Sequence, residues 1–109
     1  MVEIKEYVNE TAKSPYAVWH DHLDARAAAK VTTALYRLEQ GNFSNTSGVG
    51  GGVFEYKIDF GPGYRIYFGK DGESVVIILG GGTKKRQQQA INAAKASWQD
   101  YKARKRKSK

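Results

Sequence analysis

A chain of 109 residues and 12.1 kDa holds one domain, since two would each fall short of the roughly 70–80 residues that a single core needs. With 40% hydrophobic residues, 27% charged residues and no cysteine, the chain can bury a core and excludes a disulfide scaffold, a thiolate metal site and a cysteine nucleophile. The net charge of +7 is unevenly spread: residues 1–83 sum to −2 and residues 84–109 to +9, so the basic character lies in the last quarter and suits a polyanion such as nucleic acid.

The opening stretch MVEIKEYVNE is too charged for a signal peptide, and no apolar run approaches the ~18 residues of a membrane span, so a soluble cytoplasmic protein without membrane contact is expected. Its alternation of Val2, Ile4 and Val8 with charged residues predicts a half-buried strand. Ser14 and Pro15 read as an N-cap followed by proline at the first helical position, where its missing N–H costs nothing. That helix continues through Tyr16, Trp19 and Leu23. Asp24 is a second N-cap, opening an alanine-rich helix to about Gln40 with Ala28, Val31, Leu35 and Leu38 in one stripe, and Gly41-Asn42 stops it. Residues 41–52, with five glycines, are expected to form a flexible connection. No Gly-Lys-Ser/Thr follows them, so they do not match a phosphate-binding loop.

A three-stranded meander is predicted over residues 53–60, 64–69 and 74–80, with turns at Gly61-Pro62-Gly63 and Lys70-Asp71-Gly72. The apolar run Val75-Val76-Ile77-Ile78-Leu79 should be a central strand, buried on both faces. After Gly80-Gly81-Gly82, Thr83 is placed to cap a final helix with Ile91, Ala94, Trp98 and Tyr101 in one stripe. The expected fold is α+β in the order β-α-α-β-β-β-α, a small, mostly antiparallel four-stranded sheet packed with helices. One domain covers residues 1–104, and residues 105–109 form a basic C-terminal tail expected to be disordered.

Hairpin register decides which side chains work together. With Gly61-Pro62-Gly63 as a three-residue loop, Phe60 pairs with Tyr64, Asp59 with Arg65, Ile58 with Ile66, Lys57 with Tyr67 and Tyr56 with Phe68. One face is then apolar core, and the other presents Glu55, Lys57, Asp59, Arg65 and Tyr67 as a patch of titratable and aromatic groups. An Asp59–Arg65 cross-strand pair would stabilise the hairpin by up to ~1 kcal/mol, so these two residues also have a purely structural explanation. Thr83-Lys84-Lys85-Arg86 places three cations at the start of the last helix, where free N–H groups and the positive dipole end favour an anion. Each such cation opposes the dipole by about a few tenths of a kcal/mol, which points to a negative ligand, and phosphate fits. His20 and His22, about 200° apart on a helix, make no metal pair. Trp19 and Trp98 fit core stripes, whereas Tyr67 on the polar face could stack on a base.

Gly41-Asn42, Val49-Gly50 with Gly52-Val53, the stretch Gly61-Pro62-Gly63-Tyr64-Arg65-Ile66-Tyr67-Phe68, and Leu79-Gly80-Gly81 with Lys84, Gln87 and Gln88 span nearly the whole chain. In these marks the chain resembles the RelE/HigB/ParE superfamily of type II toxins, in its phage-associated addiction module killer protein branch. The resemblance implies a toxin neutralised by a cognate antitoxin from a neighbouring gene, here of the helix-turn-helix kind. In many members it also implies an endoribonuclease that cleaves mRNA within the ribosomal A site without metal or cofactor. Residue by residue, it implies that Arg65 contacts the scissile phosphate, that Lys57 is the lysine of the preceding strand, and that Lys84 or Lys85 is the basic residue at the last helix start. A second family lysine is replaced by Asp59, and a family tyrosine falls at or near Ile91.

Cleavage of RNA needs a base for the 2′-hydroxyl, positive charge at the pentacovalent phosphorane and an acid for the leaving 5′-oxygen. Arg65, Lys84 and Lys85 supply charge; Asp59, Glu55 or a Lys57 of lowered pKa are the candidates for the base. Arg86, Tyr67, Lys102 and Arg104 are assigned to RNA binding, and the basic last quarter adds affinity through counterion release. A ribosome-associated mRNA endoribonuclease with Arg65 as main transition-state stabiliser is one reading. A ParE-like inhibitor of DNA gyrase without catalysis is another, and a plain RNA-binding module a third. The nuclease requires an accessible Arg65 guanidinium on the same side of the molecule as Lys84.

Overall fold

A computed structural model describes residues 1–107 of the chain. Its elements are β1 (Glu3–Glu6), α1 (Pro15–Asp21), α2 (Ala25–Glu39), β2 (Thr46–Gly50), β3 (Val53–Ile58), β4 (Tyr64–Lys70), β5 (Val75–Thr83) and α3 (Gln87–Lys107). Both early helices start as their caps predict: Ser14 Oγ accepts from the Ala17 N–H at 3.0 Å, and Asp24 Oδ1 from the Ala27 N–H at 2.8 Å. α2 ends where Gly41 takes a φ of +80°, a conformation glycine adopts without strain.

The strands form one mixed sheet in the order β1-β5-β4-β3-β2. β1 lies parallel to β5, with Glu3 opposite Val75, and all other neighbours are antiparallel. The α+β class is therefore as expected, but the sheet has five strands rather than four. The additional strand is β2, inside the glycine-rich segment expected to be a flexible connection. Thr46 pairs with Tyr56, and the chain reverses through Gly51 and Gly52, both at positive φ. The poor strand propensity of Thr46-Ser47-Gly48-Val49-Gly50 is overridden by its hydrogen-bonded ladder with β3.

β5 also runs on through the glycine triplet instead of stopping at residue 80, and the reason is close approach. Trp19 of α1 presses on the backbone at Gly81, where a Cβ would collide with the indole. On the opposite face Trp98 of α3 covers Gly69, where a Cβ would come within 2.5 Å of the ring.

Both sheet faces are covered. α1 and α2 bury Tyr16, Val31 and Leu38 against Tyr56, Ile66, Phe68 and Ile78 on one side. α3 buries Ile91, Ala94 and Trp98 against Tyr67, Ile77 and Leu79 on the other. Each large apolar side chain so buried contributes about 1.5–3 kcal/mol, which fixes the helices to the sheet far more firmly than their intrinsic propensity could.

Residues 84–86 form a single 3-10 turn before α3; Thr83 is extended there but makes no side-chain capping bond. At its other end α3 continues to Lys107, so residues 105–107 of the expected disordered tail are helical. Their cations complement the negative dipole end, and Lys105 Nζ is 2.5 Å from Asp71 Oδ1. Residues 108 and 109 of that tail lie outside the described residues. No helix among the described residues is long and apolar enough to cross a membrane.

Candidate nucleic-acid interface

The β3–β4 hairpin pairs Ile58 with Tyr64, Lys57 with Arg65, Tyr56 with Ile66 and Glu55 with Tyr67. This departs by two positions from the expected register, because the connection is the five-residue loop 59–63. Side chains alternate with a period of two, so the slip leaves each on its expected face while changing its neighbours. The Asp59–Arg65 pair does not form, and Asp59 stands in the loop. Two cations, Lys57 and Arg65, are instead directly opposite, which is unfavourable by itself. Glu55 offsets the repulsion. Its Oε2 lies 3.5 Å from Arg65 Nε and accepts from the Tyr67 hydroxyl at 2.9 Å and from Gln87 Nε2 at 2.8 Å.

This polar face is covered by α3, which corrects three assignments. Tyr67 is fully buried, so it cannot stack on a base. Burial, reinforced by its bond to Glu55, also holds its hydroxyl well above the usual phenol range, so it stays protonated and is no base. Glu55, at 1% exposure and committed to its three partners, is closed to a substrate proton. Arg65 is 8% exposed; its Nε is buried without a hydrogen bond and its Nη1 donates to the Gly63 carbonyl at 3.0 Å. It is a buried charge largely held by Glu55, not the accessible guanidinium that direct phosphate contact requires.

The other half of the requirement holds, because Arg65 and Lys84 lie on the same side. They line one cleft of about 210 Å3 together with Lys57, Asp59, Gly63 and Tyr64. Gly63 closes this geometry. At a φ of +80° its carbonyl accepts from both the Lys84 N–H, at 2.9 Å, and Arg65 Nη1. A Cβ there would sit 3.3 Å from Lys84 Cβ, so only glycine lets the hairpin loop dock so closely on the 3-10 turn.

Lys57, Asp59, Lys84, Lys85 and Arg86 are all exposed, and none of them forms a salt bridge among the described residues. Three exposed cations thus precede α3, and the nearest carboxylate to its first residue is the buried Glu55, which Gln87 holds. Lys102 and Arg104 are not part of this cleft. They stand about 22 Å further along α3, where Lys102 Nζ lies 5.8 Å from the Trp98 ring centre and Arg104 bridges to Asp100 at 2.7 Å. Two cations that sequence reasoning did not single out adjoin the cleft instead. Lys30 and Arg37 of α2 line a neighbouring cavity that shares Lys57 and Asp59. Their spacing of seven residues, two helical turns, was the available signal.

No protein-family model matches the chain. Over 75 residues it is 41% identical to a protein of Haemophilus influenzae described as uncharacterized, an alignment that covers 69% of this chain and 76% of that protein. At that identity and coverage, the chain belongs to the same family as this Haemophilus influenzae protein.

Proposed function

We propose that this chain is the toxin of a type II toxin–antitoxin pair of the RelE/HigB/ParE kind. In this reading it is a metal-independent endoribonuclease that cleaves mRNA on the ribosome in the cytoplasm. A small helix-turn-helix antitoxin from the adjacent gene holds it inactive. The observation that carries the reading is the cleft where Lys57, Lys84 and the edge of Arg65 meet one carboxylate, Asp59, that has no ion-pair partner among the described residues. The resemblance of residues 61–68 and 84–88 to the superfamily supports it.

A phosphodiester seats between Lys57 and Lys84. Asp59 takes the proton of the ribose 2′-hydroxyl, the 2′-oxygen attacks phosphorus, and the Lys84 ammonium protonates the departing 5′-oxygen. The products are a 2′,3′-cyclic phosphate and a 5′-hydroxyl. The buried Arg65, held by Glu55, does not meet the requirement for an accessible guanidinium. The mechanism with Arg65 as main stabiliser is therefore replaced by one in which Lys57 and Lys84 carry the charge stabilisation of the phosphorane. An ammonium 4 Å from a phosphate charge gains about 1 kcal/mol in bulk water and about 4 kcal/mol where the bound strand excludes water. Positioning of the mRNA by the ribosome supplies a further contribution through proximity.

Expression without antitoxin should stop growth and yield mRNA fragments with cyclic phosphate ends. Lys57→Ala with Lys84→Ala should restore growth in a folded protein, since both side chains are exposed. Full toxicity of that folded double variant overturns the assignment. Arg65→Ala is a poor test, because it strands Glu55 without its cation and threatens the fold. The burial of Arg65 and the isoleucine at position 91 favour a second reading, a ParE-like inhibitor of DNA gyrase without catalysis. Protein synthesis failing before DNA supercoiling changes supports the nuclease; the reverse order supports gyrase.

A further inference from the structure

The candidate cleft does not end at Lys57 and Asp59. Two more clefts, of about 220 and 360 Å3, are lined by these two residues as well, so the three adjoin around the end of β3, the first on the face that α2 covers and the candidate cleft on the face toward α3. Lys30, Thr33 and Arg37 of α2 wall the first of them, and Asn45 borders both. Lys30, Thr33 and Arg37 recur at intervals of three and four residues and are all exposed, so they form one stripe along the helix. Lys30 leans toward the hairpin loop, with its Nζ 5.3 Å from the ring centre of Phe60. The residues that line these clefts include the cations Lys30, Arg37, Lys57 and Lys84, the Glu55-paired Arg65, and one acidic residue, Asp59. Among the described residues, Lys30 and Arg37 have no carboxylate partner.

We infer that these adjoining clefts are the track of a single RNA strand, with the reacting phosphodiester at Lys57 and Lys84 and the flanking phosphates on Lys30 and Arg37. The inference rests on the function proposed above and extends it to a substrate-binding surface on α2. Lys30 and Arg37 stand about 10 Å apart along the helix, a row of positive charge rather than a point. A cationic groove that follows the backbone is how single strands are held without regard to sequence. Thr33 and Asn45 place neutral donors and acceptors between the cations, which suits ribose 2′-hydroxyls and favours RNA over DNA. Asp59 repels phosphate wherever it stands, so it belongs beside the reacting ribose.

The test is the salt dependence of binding to a labelled oligouridylate of about 12 nucleotides, within the span that single-strand grooves cover. Lys30→Gln with Arg37→Gln should weaken binding and make the slope of log K against log salt shallower by about 1.4, roughly 0.7 for each phosphate no longer neutralised. Binding to oligoadenylate should weaken equally, since cations on phosphate carry no sequence information. Lys13→Gln with Arg26→Gln, exposed cations outside these clefts, should leave the slope unchanged. If the Lys30/Arg37 variant keeps the parent slope while Lys57→Ala with Lys84→Ala flattens it, the α2 track is overturned and the cleavage site stands. An equal flattening in the Lys13/Arg26 control overturns the track as well, and so does a parent protein that binds no oligonucleotide, while the cleavage site is judged separately by the growth and mRNA-fragment assay. Thermal unfolding verifies folding; where the double variant melts, Lys30→Gln alone should move the slope by about 0.7.

Discussion

At its C-terminal end α3 gives its cations to carboxylates: Arg104 bridges Asp100, and Lys105 bridges Asp71, which also accepts the Tyr101 hydroxyl at 2.6 Å. Just before its N-terminal end Lys84, Lys85 and Arg86 face no carboxylate within salt-bridge distance among the described residues, and they crowd the positive end of the dipole. The same residue types therefore serve opposite ends. One set completes the fold, and the other opposes it locally and is better matched by an anion from outside. A count of charge over residues 84–109 cannot separate the two, because pairing rather than composition distinguishes them.

The largest expected effect lies under the N-terminal end. Glu55→Ala removes the partner of a buried guanidinium and should cost about 3–5 kcal/mol in urea denaturation. A loss below about 1 kcal/mol would mean that Arg65 swings out to water, returning it to the surface as a direct ligand for phosphate. At the other end Asp71→Ala should cost about 1 kcal/mol, for one hydrogen bond and an exposed ion pair. Amide exchange should then quicken over the last turns of α3 and stay unchanged at residues 57–66.

pH acts on the C-terminal end from both sides. Burial, then the bond to Asp71, pushes the Tyr101 hydroxyl from 10.0 to about 12, so the stability it contributes is full below pH 10 and fades as pH rises toward 12. Asp71 is held below its ordinary value by Lys105 and then Tyr101, and Asp100 by the Tyr7 hydroxyl and then Arg104. Their contribution is present above the usual carboxylate range and is lost as pH falls through the depressed values. Thermal melts across pH, with and without Asp71→Ala, should show both flanks shrink in the variant. The smallest effect has the opposite sign. Lys84→Ala should raise stability by about 0.3 kcal/mol by relieving the dipole, and under the proposed function it should also abolish toxicity.

Local chemistry carried most of the fold in the sequence. Ser14 and Asp24 cap where expected, Gly41 stops α2, and the stripe of Ile91, Ala94 and Trp98 is buried. β2 was missed because residues 46–50 have little intrinsic preference for a strand and gain it only from the ladder with β3. The glycine triplet read as a break because its function is steric, under an indole that arrives from another element. At the site, alternation assigns Glu55, Arg65 and Tyr67 to one face, but polar identity does not fix exposure, and all three are buried. Whether a polar face meets water or a second helix layer is a tertiary fact, and here α3 lies over it. That Lys57, Asp59 and Lys84 line one cleft is legible from the hairpin and the last helix start, whereas the adjoining Lys30 and Arg37 are not, since only the packing of α2 beside β3 brings them to the cavity that Lys57 and Asp59 also line.

The parallel pairing of β1 with β5 has a consequence for the order of assembly. Glu3 must find Val75, and Tyr7 must find Asp100, 93 positions away, so β1 waits for segments made long after it. Contacts between such distant positions form late, because closing the long intervening loop has to be compensated by everything already docked. The β1 edge and the α3 cover thus come together only after the intervening strands have docked. The cleft that Lys57 shares with Lys84 is therefore finished only once residues 84–86 have docked on the hairpin loop through the bond from the Lys84 N–H to the Gly63 carbonyl.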